Sequence, residues 1–144
     1  MKGFANWIES ENSKFFEYST KKLNIIKFRS YLEMKHPEAI DKQLTKTSLK
    51  KLGLTPIIMG EIYYDYKYYD KAAEYLVQVK EPEYFSYALE MLKSMEKYKE
   101  ALEAIISNKD CDNKALLVND ILRKQPRYQK NVEEFCAKYK VNLQ

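Results

Sequence analysis

Apolar residues recur at three- and four-residue spacing along most of the chain, the period of an amphipathic helix. Leu54, Ile57, Ile58, Ile62 and Tyr66 form one stripe, and Tyr69, Ala72, Ala73, Leu76 and Val79 the next. A third runs through Tyr84, Phe85, Ala88, Leu89, Leu92 and Met95, and a fourth through Tyr98, Ala101, Leu102, Ile105 and Ile106. Leu116, Leu117, Ile121 and Leu122 follow, then Tyr128, Val132, Phe135, Cys136 and Tyr139. Upstream, Phe15, Phe16, Tyr18 and Leu23 predict one helix, and Ile25, Phe28, Tyr31 and Leu32 a second. The charged stretch from Leu32 to Lys51 predicts a short helix after Pro37 and another around Thr47–Leu52. No segment alternates with period two, so no sheet is expected.

Prolines punctuate this pattern. Thr55-Pro56 reads as an N-cap followed by proline at the first helical position, where the missing N–H is no loss. His36-Pro37 and Glu81-Pro82 read the same way with weaker caps, and Gln125-Pro126 ends one helix and opens another. Three glycines and four prolines in 144 residues favour helices joined by short turns.

Residues 61–77 align without gaps over residues 90–106, an offset of 29. Both stretches carry an aromatic residue, two polar residues and an alanine: Tyr69 with Ala72, and Tyr98 with Ala101. A tyrosine at the turn packs between the two helices of a hairpin, and the small alanine lets their backbones approach. Asp65 and Lys67, then Glu96 and Lys97, keep each turn in water. This is the logic of helical repeats. The expected fold is all-α: antiparallel helical hairpins stacked as a short right-handed α-solenoid of degenerate tetratricopeptide-like repeats. Its clearest units are 54–80 and 82–107, and residues 1–144 form one segment of a longer solenoid. The period is shorter than the roughly 34 residues of a tetratricopeptide repeat, and the usual Trp, Gly and Pro positions are missing. Tyr69, Ala72, Leu76, Tyr98, Ala101, Leu102 and Ile105 are the expected hairpin-packing residues. Tyr64 and Lys93, on the first helix of each hairpin, are the candidate partner surface.

Composition narrows the chemistry. Hydrophobic residues make up 45% and charged residues 32%, enough apolar content for a folded core. No apolar run approaches the roughly 20 residues of a membrane span, and Met1–Trp7 lacks the apolar stretch of a signal peptide. A reduced, cytosolic setting is expected, with Cys111 and Cys136 as free thiols. Two cysteines and one histidine do not make a four-ligand zinc site. His36 has no partner at catalytic spacing, and no phosphate loop, nucleophile elbow or metalloprotease motif occurs. The chain is therefore expected to have no catalytic residue, cofactor or metal. Residues 1–54 hold 11 Lys/Arg against 6 Asp/Glu, whereas residues 55–144 hold 14 against 15. The basic half steers acidic partners but lacks the density of a nucleic-acid surface, even with the cluster Tyr63–Tyr69 beside it. Lys21-Lys22 and Lys50-Lys51 read as solvated pairs, shorter than lipid-binding clusters.

The middle of the chain resembles the C-terminal region of the vacuolar protein sorting subunit sixteen family. The likeness rests on Ala72-x-x-Tyr75-x-x-x-Val79 with Pro82-Glu83 close behind, then Ala101-Leu102-Glu103-Ala104-Ile105-Ile106. Trp7 and Lys14-Phe15-Phe16-Glu17-Tyr18-Ser19 occupy the family's aromatic and Phe-Ser positions. The chain departs from the pattern by one extra residue between Val79 and Pro82 and by Ser94 near an expected glycine. The resemblance implies an α-solenoid subunit of a tethering complex, peripheral on late endosome, lysosome or vacuole membranes. It would dock a Sec1/Munc18-like protein beside other complex subunits, without nucleic acid or membrane insertion. The residues alone leave other solenoids open, including a generic tetratricopeptide-like peptide-binding module.

The repeat alignment predicts that Ala72→Trp or Ala101→Trp overpacks a helix interface and lowers stability by roughly 1–3 kcal/mol or more. Chemical denaturation checks this; a variant that melts like the parent contradicts the repeat at that position.

Overall fold

The computed structural model describes residues 2–143, with side chains from Tyr18 onward. The described residues form eight α-helices and no strand: α1 (Lys2–Glu33), α2 (Pro37–Lys46), α3 (Pro56–Asp65), α4 (Tyr69–Leu76), α5 (Pro82–Ser94), α6 (Tyr98–Ser107), α7 (Lys114–Lys124) and α8 (Gln129–Tyr139). A 3₁₀ turn, Pro126–Tyr128, leads into α8. The all-helical expectation holds across this span. Helix α3 packs on α4 and α5 on α6, while α6 also meets α7 and α8. Helix α1 lies against α2 and α3.

Some local expectations change. The two helices predicted upstream of Glu33 are one helix of 32 residues. No glycine or proline interrupts residues 4–36, so nothing forces a break. The side chains of Trp7, Phe15 and Phe16 lie outside the described residues. No helix forms at Thr47–Leu52; a turn closes there on Gly53, whose φ of 73° suits glycine. Thr55, His36 and Glu81 precede their helices as expected, but none caps with its side chain. The Thr55 carbonyl accepts the Met59 N–H instead (3.0 Å).

The offset of 29 reappears in the backbone. Helices α3 and α5 end at Asp65 and Ser94, and α4 and α6 begin at Tyr69 and Tyr98, each pair 29 apart. The turns between them share one geometry. Lys67 and Glu96 are both left-handed, with φ of 66° and 60°. The Tyr68 N–H donates to the Tyr63 carbonyl, and the Lys97 N–H to that of Leu92, each at 2.9 Å. The Lys67 and Glu96 N–H groups close the shorter ring on Tyr64 and Lys93, each at 3.0 Å. This six-to-one and five-to-two pairing is the Schellman motif, which satisfies the last carbonyls of the first helix. Lys35 ends α1 the same way.

The core follows the stripes. Ala72, Leu76, Ala101, Leu102 and Ile105 are all buried. Tyr63 and Leu92, 29 apart, are both fully buried. Gly60 of α3 is buried as well. It lies 12 residues before Ala72, in a stretch where α3 and α4 press together. A Cβ built on Gly60 would fall within van der Waals overlap of Leu76 Cδ2, and 3.6 Å from the Ala72 carbonyl oxygen. Other stripe positions sit further out than their spacing implies. Leu23, Tyr69, Tyr84 and Leu116 are exposed, and Tyr66 and Tyr98 are half-buried.

Two glycine exchanges should move stability in opposite directions. Glu96→Gly removes a left-handed Cβ penalty of about 1–2 kcal/mol and adds a chain-entropy loss of about 0.5–1, for a net gain of about 0.5–1 kcal/mol. Gly60→Ala gains about 1 kcal/mol of helix propensity but overpacks Leu76, and should lose about 1 kcal/mol net. Urea midpoints compared with the parent decide both; a stabilised Gly60→Ala contradicts the close approach.

Candidate interaction surface

The cluster Tyr63–Tyr69 divides by helix geometry into an inward and an outward set. Tyr63 is fully buried, stacked on Tyr75 (centroids 5.9 Å apart, planes 11° apart) and edge-on to Tyr68 (6.3 Å). Its hydroxyl has no hydrogen-bond partner among the described residues. Tyr69 was expected inside the hairpin; it lies at the hairpin's edge, 39% exposed, with its ring 5.9 Å from that of Tyr64. Position 69 opens α4, one turn before the buried pair Ala72 and Ala73, so it reaches the rim and not the interior. Tyr66 lies with Arg29, Ile26 and Met34 along a groove beside α1.

Tyr64 and Lys93 occupy corresponding places, each one residue before the end of its helix. The Tyr64 hydroxyl lies 2.9 Å from Ser94 Oγ, and Ser94 Oγ donates to the Met91 carbonyl at 2.9 Å. With the serine proton so engaged, the tyrosine is the donor, and α3 is tied to α5 beside Lys93. Lys93 Nζ pairs with Glu90 at 2.8 Å along α5. It lines a cleft of about 270 Å³ with Glu90, Tyr98, Asp120, Ile121 and Lys124, between α5 and α7. The structure therefore sets the two predicted residues on neighbouring stretches of one surface, made by the first helices of the hairpins. Three exposed residues escaped the prediction: Tyr84 (46%) and Tyr87 (50%) on α5, and Leu116 (67%) on α7. Tyr84 and Leu116 were read as core because helical spacing alone does not locate the edge of a stripe.

The second helices carry a different surface. Asp70, Glu74, Glu100 and Glu103 line a cleft between α4 and α6. Lys97 Nζ sits 2.5 Å from Asp70 Oδ1 across it and holds the Asp70 carboxyl below its ordinary value. The Tyr139 hydroxyl donates to Glu103 at 2.7 Å, joining α8 to α6. At the other end, Arg29 pairs with Asp65 at 2.8 Å and links α1 to α3.

His36 is exposed and lies 2.9 Å from Glu38 through Nδ1. Cys111 and Cys136 are free and half-buried, and burial raises the Cys136 thiol. Among the described residues no group of three acidic, histidine or cysteine side chains is placed to hold a metal ion. No helix among them is long and apolar enough to cross a membrane. No family model matches the chain, and neither does any curated protein or solved structure.

The Tyr63 hydroxyl generates a pH prediction. Burial raises its folded-state pKa well above the ordinary tyrosine value, and burial raises Tyr75 as well. A raised folded pKa means that the associated stability is complete below the unfolded value of about 10 and is lost as pH rises above it. Tyr63→Phe should be as stable as the parent at neutral pH, or more stable by up to about 1 kcal/mol, because it removes an unpaired buried hydroxyl. It should also lose less stability between neutral and strongly alkaline pH. Denaturant titrations across that range check both. A loss of more than about 1 kcal/mol at neutral pH would mean that the hydroxyl is satisfied.

Proposed function

We propose that this chain is a protein–protein interaction scaffold in which helical hairpins stack as a short α-solenoid. One observation carries the reading: sequence repeat, helix bounds and left-handed turn residues all share the offset of 29. A unit repeated this way buries its apolar face on its neighbours and leaves one helix of each pair to build an extended surface. Here that surface bears Tyr64 on α3 and Tyr84, Tyr87 and Lys93 on α5. Aromatic residues beside charged rims are the composition of protein contact surfaces.

Two kinds of partner follow from different observations. Met59-Gly60-x-x-Tyr63 and Ala72-x-x-x-Leu76 follow the small-residue and aromatic spacing of tetratricopeptide repeats. This supports a peptide or helix held along the first helices. The likeness at residues 72–79 and 101–106 to the vacuolar protein sorting subunit sixteen family supports the narrower reading. In it, the partner is a Sec1/Munc18-like subunit within a membrane-tethering complex on late endosomes, lysosomes or vacuoles.

Affinity capture from a cytosolic extract, with the chain and a Lys93→Glu, Tyr87→Ala variant as parallel baits, tests both readings. Specific partners on the parent, reduced by about tenfold or more on the variant, are expected if these side chains anchor the interface. A Sec1/Munc18-like protein among them selects the tethering role, and other partners select the generic module. A folded parent that retains nothing, or a variant that retains everything, refutes this surface.

A further inference from the structure

Most lysines with a defined contact meet an acidic or polar group. Lys71, Lys93, Lys97 and Lys138 pair with carboxylates. Lys80 and Lys114 donate to Ser107 Oγ and the Ile106 carbonyl. The cleft between α1 and α2 is different. It holds about 360 Å³ and is lined by Lys27 and Tyr31 from α1, Lys42, Gln43 and Lys46 from α2, and Thr47 at the end of α2. No carboxylate among the described residues lines it. None of its three ammonium groups has an ion-pair partner among the described residues.

The arrangement follows from helix periodicity. Lys27 and Tyr31 stand four residues apart on α1, and Lys42 and Lys46 four apart on α2, so each pair shares one helix face. Tyr31 is stacked on buried Phe28 (centroids 6.3 Å apart), and Lys27 Nζ lies 6.0 Å from the Tyr31 ring centre. The described acidic groups of the two helices meet other residues or line other surfaces. Glu38 meets His36, Asp41 meets Lys71 of α4, and Glu33 lines the separate groove with Ile26 and Met34.

Three like charges around one concavity repel each other unless a counter-charge enters. Lys46 also complements the C-terminal dipole of α2, which accounts for one of the three. Lys27 and Lys42 have no such role. Packing of α1 on α2 does not need them, because Phe28, Leu32 and Ile40 are buried there with Leu44 against them.

We infer that this cleft receives a compact polyanion carrying two or more phosphate groups. Lysine ammonium groups bind phosphate as point charges, and Gln43, Thr47 and Tyr31 add neutral donors around them. A single monoanion would leave most of the charge unbalanced. Three lysines are too few to track a nucleic-acid backbone, whose affinity comes from many successive phosphate contacts. Adjacent phosphates occur on soluble molecules and on lipid headgroups, and the recognition chemistry is the same for both. The inference stands apart from the scaffold reading, because it uses neither the repeat nor the first-helix surface.

Isothermal titration with inorganic tripolyphosphate at low salt tests it. The variant Lys42→Gln with Lys46→Gln empties the cleft of two charges. The control Lys50→Gln with Lys51→Gln removes the same charge from the neighbouring turn. Saturable binding by the parent is expected, weakened by about tenfold or more in the cleft variant and by less than about twofold in the control. Circular dichroism verifies that both variants stay helical. An equal loss in both variants, or no saturable binding by the parent, overturns the inference. A second arm uses phosphatidylcholine vesicles with and without a phosphatidylinositol bisphosphate. Vesicle capture that tripolyphosphate displaces and the cleft variant lacks identifies a lipid source. Capture that survives the cleft variant counts against the site, and tripolyphosphate binding without vesicle capture identifies a soluble ligand.

Discussion

The close approach of paired helices at small residues is the constraint on which the rest of this structure depends. Ala72 and Ala101 are fully buried at corresponding places in two hairpins, and Gly60 presses against Leu76 in the first. Interiors are packed too densely for a larger side chain there to be absorbed without strain. Because the backbones come close, Leu76 and Ile105 reach across and are almost fully buried. Each such side chain contributes about 1.5–3 kcal/mol of apolar burial. Widening the gap would weaken those contacts and those of Tyr63 and Leu92 together.

The turns show how this packing coexists with a polar exterior. Lys67 and Glu96 adopt a backbone conformation that favours glycine. The Schellman pairing satisfies the carbonyls that would otherwise end each first helix unpaired. A charged side chain at this place is solvated, so the turn stays in water while the residues before and after it turn inward. Charge is then sorted by helix: carboxylates gather along α4 and α6, and lysines with no ion-pair partner among the described residues line the cleft between α1 and α2. One chain thus presents surfaces of opposite sign beside an aromatic one.

The candidate surface was only partly legible. Tyr64 and Lys93 were recognisable because the repeat put them at matching non-core places. Tyr84 and Leu116 satisfied the helical period and were read as core, yet stand at the margins of their stripes. A period specifies an angle around a helix axis; it does not specify how far the neighbouring helix extends. The basic cleft was invisible for a related reason. Lys27 is distant in sequence from Lys42 and Lys46, and only the fold of α2 back onto α1 makes them neighbours.

The sequence by itself determined the helical class, most helix positions and the buried small residues Ala72 and Ala101. These depend on period, turn chemistry and side-chain size, all local properties. Only the tertiary structure decided that α1 is continuous, that Gly60 presses against Leu76, that Tyr63 and not Tyr69 fills the interior, and which lysines lack an ion-pair partner among the described residues. Those outcomes depend on which helices meet and at what distance, and contacts between residues far apart in the chain are set by the whole packing.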